Sequence, residues 1–178
     1  MILIGIDPGL SGALCLLDSE HGIVEIVDMP VFKVVVSGKD RSRLDLAGLR
    51  NLLAGWKAWE PQLVIVEDVA DRPKQSGMFS FGYVKGAIEA TCMCLGLHVE
   101  RIAPQRWKKA LRVGVADDEI LQRADWLFPG EGQRWRGPRG GKLHDRAEAA
   151  MLAKYGAMYF EDLTNPQAHK KRRKELMA

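Results

Sequence analysis

Two short apolar runs, each ending at an acidic residue, constrain the fold of this chain more than any other feature. Ile2 to Asp7 is apolar up to its terminal acid, and Leu63 to Val66 is a fully apolar run followed by Glu67. Runs of this length and composition are typical of central strands that are covered on both faces. Because sites in α/β sheets form at the carboxyl edge of the strands, the two acids are predicted to lie near each other there.

Glycine, proline and helix-capping residues predict the remaining elements. Strands are expected at 2–7, 13–17, 22–28, 63–66 and 97–102, and helices at 44–60, 79–95, 104–111, 117–127 and 143–160. Residues 31–43 are interpreted as an exposed, basic connection. The order of elements implies an α/β fold with a mixed sheet between helices. The 178 residues suit one domain, expected at 1–160, and the basic segment 161–178 is expected to be a flexible tail.

Positive charge is concentrated in the second half of the chain. Residues 1–100 carry 9 Lys and Arg against 13 Asp and Glu, whereas residues 101–178 carry 17 against 10, which together give the formal charge of +3. Two stretches, 101–112 and 133–142, contain several basic residues and no acid. Such clusters attract polyanions, although either one alone is equally well explained as a solvated surface. The residues predicted to contact nucleic acid are Arg106, Lys108, Lys109, Arg112, Arg134, Arg136, Arg139 and Lys142, with Arg72 and Lys74 from the loop after the fourth strand.

Trp135 lies between Arg134 and Arg136 in a glycine-rich loop. An exposed tryptophan in that position would stack on an unpaired base, and it is included among the predicted DNA-binding residues on this ground. The alternative is that its side chain packs back on the fold.

The composition excludes several classes of protein. Hydrophobic residues make up 47% of the chain and charged residues 28%, which is typical of folded globular domains and not of disordered or fibrous chains. The three cysteines, Cys15, Cys92 and Cys94, lack CxxC spacing, so neither a disulfide scaffold nor a zinc site is expected. No apolar stretch approaches the ~18 residues of a membrane helix and no secretion signal is visible, so a cytoplasmic protein without membrane contact is expected.

Asp145 and Glu148 add two acids at the start of the last long helix. Residues three apart lie on one face of a helix, so both carboxylates can point toward Asp7 and Glu67. Four clustered carboxylates repel each other unless cations neutralise them, and Mg²⁺ is the expected ion. Two such ions about 3.5–4 Å apart catalyse phosphodiester hydrolysis. Taken singly, each acid has a simpler interpretation, as a turn residue, a solvated strand end or a favourable charge at a helix N-terminus.

Three motifs carry a family resemblance. IGIDPGLSG at 4–12, VIVEDV at 64–69 and HDRAEAAMLA at 144–153 resemble, in order and spacing, the RuvC-like branch of the ribonuclease H-like superfamily. This branch contains the Holliday junction resolvases of bacteria and bacteriophages, and the third motif is similar to phage-type members. The resemblance extends from about residue 2 to about residue 156.

The resemblance implies a ribonuclease H-like five-stranded mixed sheet in the order 3-2-1-4-5, flanked by helices. It implies that two Mg²⁺ ions per active site, or Mn²⁺ in their place, are bound by Asp7, Glu67, Asp145 and Glu148. It also implies that Lys108, in APQRWKK at 103–109, faces the cleaved backbone. Family resolvases are homodimers that cut opposite strands symmetrically, and the helix at 79–95 resembles their dimer helix. The implied location is the cytoplasm of a bacterium or of a phage-infected cell.

The sequence also departs from the family pattern at three places. The fourth carboxylate of bacterial members is usually Asp, whereas this chain has Glu148. A second family lysine is replaced by the stretch at 116–118, which leaves Arg112 as a possible substitute. The aromatic residue that wedges into the junction is missing at 69–71. Met78, Phe79 or Phe81 can replace it, or these residues can belong to the core.

The predicted function is that of a crossover junction endodeoxyribonuclease, a Mg²⁺-dependent enzyme that resolves four-way junctions by paired phosphodiester hydrolysis. A relaxed branched-DNA or flap nuclease, or an RNA-processing nuclease of the same fold, is the main alternative. A sugar kinase or actin-like ATPase would use the loop at 7–12 for phosphate, but it needs a second such domain, for which the chain has no room. A non-catalytic DNA-binding module would not need the complete carboxylate set.

Overall fold

The structure, a computed structural model, describes residues 1–69 and 78–164. The strands in these residues are β1 (Ile2–Asp7), β2 (Ala13–Asp18), β3 (Gly22–Asp28), β4 (Val31–Val36), β5 (Lys39–Leu44), β6 (Leu63–Glu67) and β7 (Val99–Ile102). The helices are α1 (Leu46–Lys57), α2 (Met78–Cys94), α3 (Pro104–Leu111), α4 (Asp117–Leu127), α5 (His144–Met158) and α6 (Phe160–Thr164).

Five of the strands form a mixed sheet in the order β3-β2-β1-β6-β7. The pairs β1–β2 and β2–β3 are antiparallel, whereas β6 runs parallel to both β1 and β7. Counting only the strands of this sheet, the order is 3-2-1-4-5. The α/β fold with a five-stranded mixed sheet is therefore confirmed.

Alternate residues of the central strands point into two hydrophobic cores. On one face, Leu3 and Ile65 belong to a core that includes buried residues of α3, α4 and α5. On the other face, Ile4 and Val64 belong to a core shared with α1 and α2. Each fully buried aliphatic side chain contributes about 1.5–3 kcal/mol relative to an exposed one, so the apolar runs drive the three-layer arrangement.

Small residues bring helix α5 unusually close to strand β1. A Cβ added at Gly5 would lie 2.1 Å from the carbonyl oxygen of Ala149 and 2.4 Å from the amide nitrogen of Ala153. Contacts this short are sterically impossible, so only glycine fits in β1 at this point. The close packing fixes the start of α5, and with it Asp145 and Glu148, above the end of β1.

Helices α1, α3 and α4 begin at the capping, proline and acidic residues that predicted them. Asp45 caps α1, since its Oδ1 accepts a hydrogen bond of 2.9 Å from the amide of Gly48. Helix α3 begins at Pro104, whose missing N–H costs nothing in the first turn. Helix α4 begins with three acids in its first turn, where they interact favourably with the helix dipole.

The segment predicted as an exposed connection at 31–43 contains a β-hairpin that the sequence reasoning missed. Strands β4 and β5 pair antiparallel and form a separate two-stranded sheet. Ser37 and Gly38 form the turn, with φ values of 51° and 72°. Positive φ at both central residues is the geometry that matches the twist of a tight hairpin. The segment is exposed and basic, as expected, but it is regular.

The cysteines are free thiols, with Cys15 and Cys92 buried and Cys94 exposed. Burial raises the pKa of the Cys92 thiol to about 12. Within the described ranges, no helix has the length and apolar character needed to cross a bilayer.

Candidate active site

Asp7 and Glu67 end the two central parallel strands. In the register of β1 and β6, Ile6 lies opposite Val66, so the acids that follow lie at the same edge of the sheet. The loop after Asp7 is held tight by Gly12, because a Cβ there would lie 2.1 Å from the carbonyl oxygen of Asp7. Any other residue at position 12 would displace the Asp7 backbone.

Helix α5 supplies two further carboxylates to this edge. One oxygen from each of Asp7, Asp145 and Glu148 lies within 4.8 Å of the others. Glu67 lies close enough to these three acids for its charge to raise the pKa of Asp7. Three of the four acids are thus in mutual proximity, and Glu67 is electrostatically coupled to them.

Burial and the charges of neighbouring acids disfavour ionisation of Asp7 and Glu67. Glu67 and Glu148 are the buried charged side chains of the described residues, 7% and 8% exposed. The pKa of Asp7 is raised well above its usual value by burial first, and then by the charges of Glu148, Asp145 and Glu67. Burial also raises the pKa of Glu67. Nearby positive charge would therefore favour the ionised forms of Asp7 and Glu67.

Helix α3 provides two partners to the glutamates. Trp107 is fully buried, and its Nε1 donates a hydrogen bond of 2.9 Å to Oε1 of Glu67. Lys108 Nζ lies 2.6 Å from Oε1 of Glu148 and 5.2 Å from the centre of the Trp107 ring. Trp107 orients one carboxylate and Lys108 partly neutralises another. The sequence predicted a role for Lys108 but not for Trp107. The only indication of Trp107 in the sequence is its position next to Lys108 in the same predicted helix.

His144, at the start of α5, contacts the cluster from its rim. Its Nε2 lies 3.2 Å from Oδ1 of Asp145, and its Nδ1 lies 3.9 Å from Oδ2 of Asp117. A histidine that lies between two acids is suited to holding the Asp145 side chain in place.

The donor set fits a hard divalent cation. Carboxylate oxygens are the ligands such ions prefer, and at least three converge here. Glu148 Oε1 is buried, and apart from its ion pair with Lys108 it accepts no hydrogen bond from residues 1–69 and 78–164. A bound cation would relieve both the repulsion and this unmet bonding.

The glycine-rich segment, residues 130–142, uses its basic residues differently. Arg134 forms an ion pair with Glu131, Arg136 pairs with Asp125 of α4, and Lys142 Nζ lies 2.8 Å from Oδ1 of Asp118. Next to the segment, Arg146 of α5 makes two hydrogen bonds, of 2.5 and 2.6 Å, to Asp28. Three of the four basic residues predicted to bind DNA in this segment are therefore engaged in internal ion pairs.

Trp135 does not stack outward from this segment. Its side chain is fully buried, and its Nε1 donates a hydrogen bond of 2.9 Å to Asp125. Its ring centre lies 6.0 Å from that of Phe128. The expectation that Trp135 stacks on an unpaired base is corrected here: the residue packs back on the fold, because an apolar ring with a satisfied N–H gains more from burial.

The other predicted DNA-binding residues have varied positions. Lys109, Arg112 and Arg139 are exposed and have no acidic partner among residues 1–69 and 78–164. Arg106 contacts Tyr155, whose pKa is raised mainly by burial. Arg72 and Lys74, like the HKKRRK stretch of the tail, lie outside the described residues.

Helix α2 has an outward face that nothing in the described residues covers. Phe79 is 90% exposed, Tyr83 51% and Met93 75%. Between them, Gly82 and Gly86 have open space where a Cβ would lie. Of the wedge candidates, Met78 and Phe81 are half-buried, so Phe79 is the accessible one.

Comparisons with known proteins give structural matches without sequence matches. Neither protein-family models nor curated protein sequences match the chain. Among solved structures, Thermus thermophilus RuvC in complex with a Holliday junction substrate matches with a TM-score of 0.61 at 17% identity, covering 90% of this chain and 95% of that one. The fowlpox virus Holliday junction resolvase matches with a TM-score of 0.50 at 15% identity, covering 92% and 100%.

A third match is the yeast mitochondrial Holliday junction resolvase, with a TM-score of 0.50 at 13% identity over 96% of this chain and 83% of that one. The fold is an α/β architecture in which helices flank a mixed five-stranded sheet with acidic residues at one edge. The structural neighbours of this chain are RuvC and other Holliday junction resolvases, as the sequence motifs indicated.

Proposed function

We propose that this chain is a divalent-metal-dependent endonuclease that resolves four-way DNA junctions, a crossover junction endodeoxyribonuclease. The observation that carries the proposal is the convergence of Asp7, Asp145 and Glu148 within 4.8 Å at the edge of this fold. The structural neighbours that share the fold are named as Holliday junction resolvases. The repulsion within the cluster supports the metal dependence.

Four carboxylates would hold the metal, namely Asp7, Glu67, Asp145 and Glu148. When bound, divalent ions supply charge neutralisation at the scissile phosphate and lower the pKa of water to generate the nucleophile. Mg²⁺ is the proposed physiological ion and Mn²⁺ a substitute. Trp107 keeps Glu67 oriented through its N–H, and Glu148 completes the ligand set or orients the attacking water.

Lys108 is proposed to contact the phosphate. Its Nζ pairs with Glu148, which places a positive charge at the border of the cluster. A lysine in this position can balance charge on the phosphate backbone as it reacts. The exposed Lys109, Arg112 and Arg139 have no internal acid partner in the described parts of the chain, so they are proposed to position DNA without reading its sequence.

The proposed enzyme is a homodimer that pairs through α2. The exposed face with Gly82, Gly86 and Met93 is apolar and lets a second helix approach closely. Two active sites related by a two-fold axis would then cut opposite strands. Phe79, at the beginning of α2, is the proposed wedge at the junction centre.

The test is an incision-mapping experiment on a labelled four-way junction, a flap, a linear duplex and an RNA–DNA hybrid, each with Mg²⁺ and with EDTA. The proposal expects paired, symmetric incisions in the junction, dependent on Mg²⁺. Unpaired cuts in the flap or the hybrid at equal rates would support a relaxed branched-DNA or RNA-processing nuclease instead. Absence of cleavage in every substrate would contradict a nuclease.

A further inference from the structure

The hairpin β4–β5 separates its side chains into two chemically distinct faces. Directly opposed residues of an antiparallel pair point to the same side, and the register pairs Phe32 with Arg43, Val34 with Arg41 and Val36 with Lys39. One face of the ribbon therefore carries a row of three cations beside a row of three apolar residues. The opposite face carries Asp40, the only acid of the hairpin, and Lys33, whose Nζ donates a hydrogen bond to Ser42, together with the exposed Val31 and Val35.

The three cations of the hairpin have no acidic partner in the described residues, whereas most cations of the glycine-rich segment form ion pairs. Lys39, Arg41 and Arg43 are exposed, and none has a hydrogen-bond or ion-pair partner within the described residues. Like charges on alternate residues repel each other, and the neighbouring Phe32 and Val36 are still 50% and 42% exposed. A surface that combines uncompensated charge with exposed apolar groups is suited to a polyanionic partner that also has apolar parts.

Two adjoining cavities lie at the base of the hairpin and share Leu10 and Ser80 in their walls. Arg43 and Leu44 line the first cavity, of about 230 Å³, together with Leu10 and Phe79. Ser42 lines the second cavity, of about 460 Å³, which also includes Gly9 and Ser11. Gly9 and Ser11 belong to the loop that follows Asp7 at the end of β1, so the second cavity lies between this loop and the hairpin.

We propose that the hairpin β4–β5 is a DNA-binding arm that holds the sugar-phosphate backbone of a double-helical segment through Lys39, Arg41 and Arg43. Alternate residues of a strand lie about 6.6–6.8 Å apart, which equals about two steps of the 3.4 Å rise along a DNA strand. The apolar row lies against the sugars. The inference rests on the proposed function, because it takes DNA as the partner, and it adds a contact surface separate from the basic segments at 101–112 and 133–142.

The experiment compares two variants that each lose two positive charges. Lys39→Gln with Arg41→Gln removes the outer cations of the hairpin, and Arg50→Gln with Lys57→Gln removes two exposed cations from α1. Binding to a labelled four-way junction is measured in EDTA by anisotropy at salt concentrations from about 50 to 200 mM. Because all four positions are exposed, the urea unfolding curves of both variants are expected to coincide with that of the wild type.

The hairpin variant is expected to make the negative slope of log K against log salt shallower by about 1.8, since each phosphate contact contributes about −0.9. The α1 variant is expected to retain the wild-type slope. If the slope changed equally in both variants, or did not change in the hairpin variant, the proposed DNA-binding role of the hairpin would be wrong. Cleavage by the wild type is measured separately in Mg²⁺. If binding depends on the hairpin but no substrate is cleaved, the DNA-binding role of the hairpin is supported and the proposed nuclease activity is contradicted. If the wild type cleaves the junction but the salt dependence of binding is unchanged in the hairpin variant, the nuclease activity is supported and the role of the hairpin is contradicted.

Discussion

The carboxylate cluster and the glycine-rich segment treat charge in opposite ways. In the segment, Arg136 meets Asp125 and Lys142 meets Asp118, so cations and acids balance within the protein. In the cluster, Lys108 is the single lysine paired among four acids of the described residues. The comparison shows that the number of charged residues in a stretch does not indicate its role. What matters is whether each charge already has a partner.

The carboxylate cluster and the glycine-rich segment therefore contribute to stability with opposite dependence on pH. Burial and like charges raise the pKa of Asp7, so the folded state binds the proton more tightly than the unfolded state. Stability therefore decreases as the pH rises from the unfolded pKa toward the folded one. The pKa of Asp125 is lowered, chiefly by the hydrogen bond from Arg136. Its stabilising contribution is present above the unfolded pKa and is lost as the pH falls toward the folded one.

The largest effect is expected from Asp7→Asn, matched with Asp125→Asn. Both changes remove one carboxylate charge with little change of shape. The first is expected to reduce junction cleavage by about 10³-fold or more, the scale on which an essential catalytic carboxylate acts, while binding persists. The second is expected to leave the cleavage rate within about threefold of wild type. Single-turnover assays in Mg²⁺ measure both, and wild-type cleavage by Asp7→Asn would refute the metal-binding role.

Trp135→Ala is expected to destabilise the fold by about 3–5 kcal/mol, because it removes a fully buried aromatic ring. Trp126→Ala is the matched control, since Trp126 is 67% exposed and only stacks on Arg123 at 4.1 Å. That change is expected to cost less than about 1 kcal/mol. Urea unfolding of both variants measures the difference. Similar values for the two tryptophans would mean that the glycine-rich segment is not part of the core.

The sequence predicted most of the sheet and the helices because their signals are local. Proline at the first position of α3 and the acids at the beginning of α4 fix both boundaries without reference to the rest of the chain. The hairpin β4–β5 was missed because its exposed apolar residues have no alternation toward a core, although the Ser37-Gly38 turn was a readable signal.

The predicted acids come together for reasons that are only partly local. The strand ends bring Asp7 and Glu67 to one edge, and a helix period brings Asp145 and Glu148 to one face. The approach of α5, by contrast, depends on contacts between Gly5 and the backbone at Ala149, far apart in sequence. The burial of Trp135 likewise depends on Asp125 in another helix. Partners of this kind cannot be read from spacing alone.

Divalent metal is expected to reverse the pH dependence of the cluster. In EDTA, the melting temperature should fall as the pH rises above the unfolded carboxyl pKa values of about 4, because Asp7 and Glu67, whose pKa values are raised in the folded state, must ionise. Added Mn²⁺ at about 100 times its Kd should restore about 2.7 kcal/mol at pH 7. Asp7→Asn should flatten the EDTA profile and lose the metal effect. Thermal melts of both proteins provide the comparison, and a wild type indifferent to Mn²⁺ would contradict the site.

The smallest effect is expected from Asp125→Asn on stability. Its carboxylate accepts hydrogen bonds from Arg136 and from Trp135, but the ion pair is about one-third exposed, so solvent screens most of its energy. The asparagine oxygen can still accept from the Trp135 N–H, which leaves a loss of about 1 kcal/mol at pH 7. Because the wild-type carboxylate is protonated in acid, this difference should shrink as the pH falls below about 4. Urea unfolding at several pH values measures it. A difference that grew toward low pH would reverse the assigned sign, and the two regions would then no longer be distinguished by how they compensate charge.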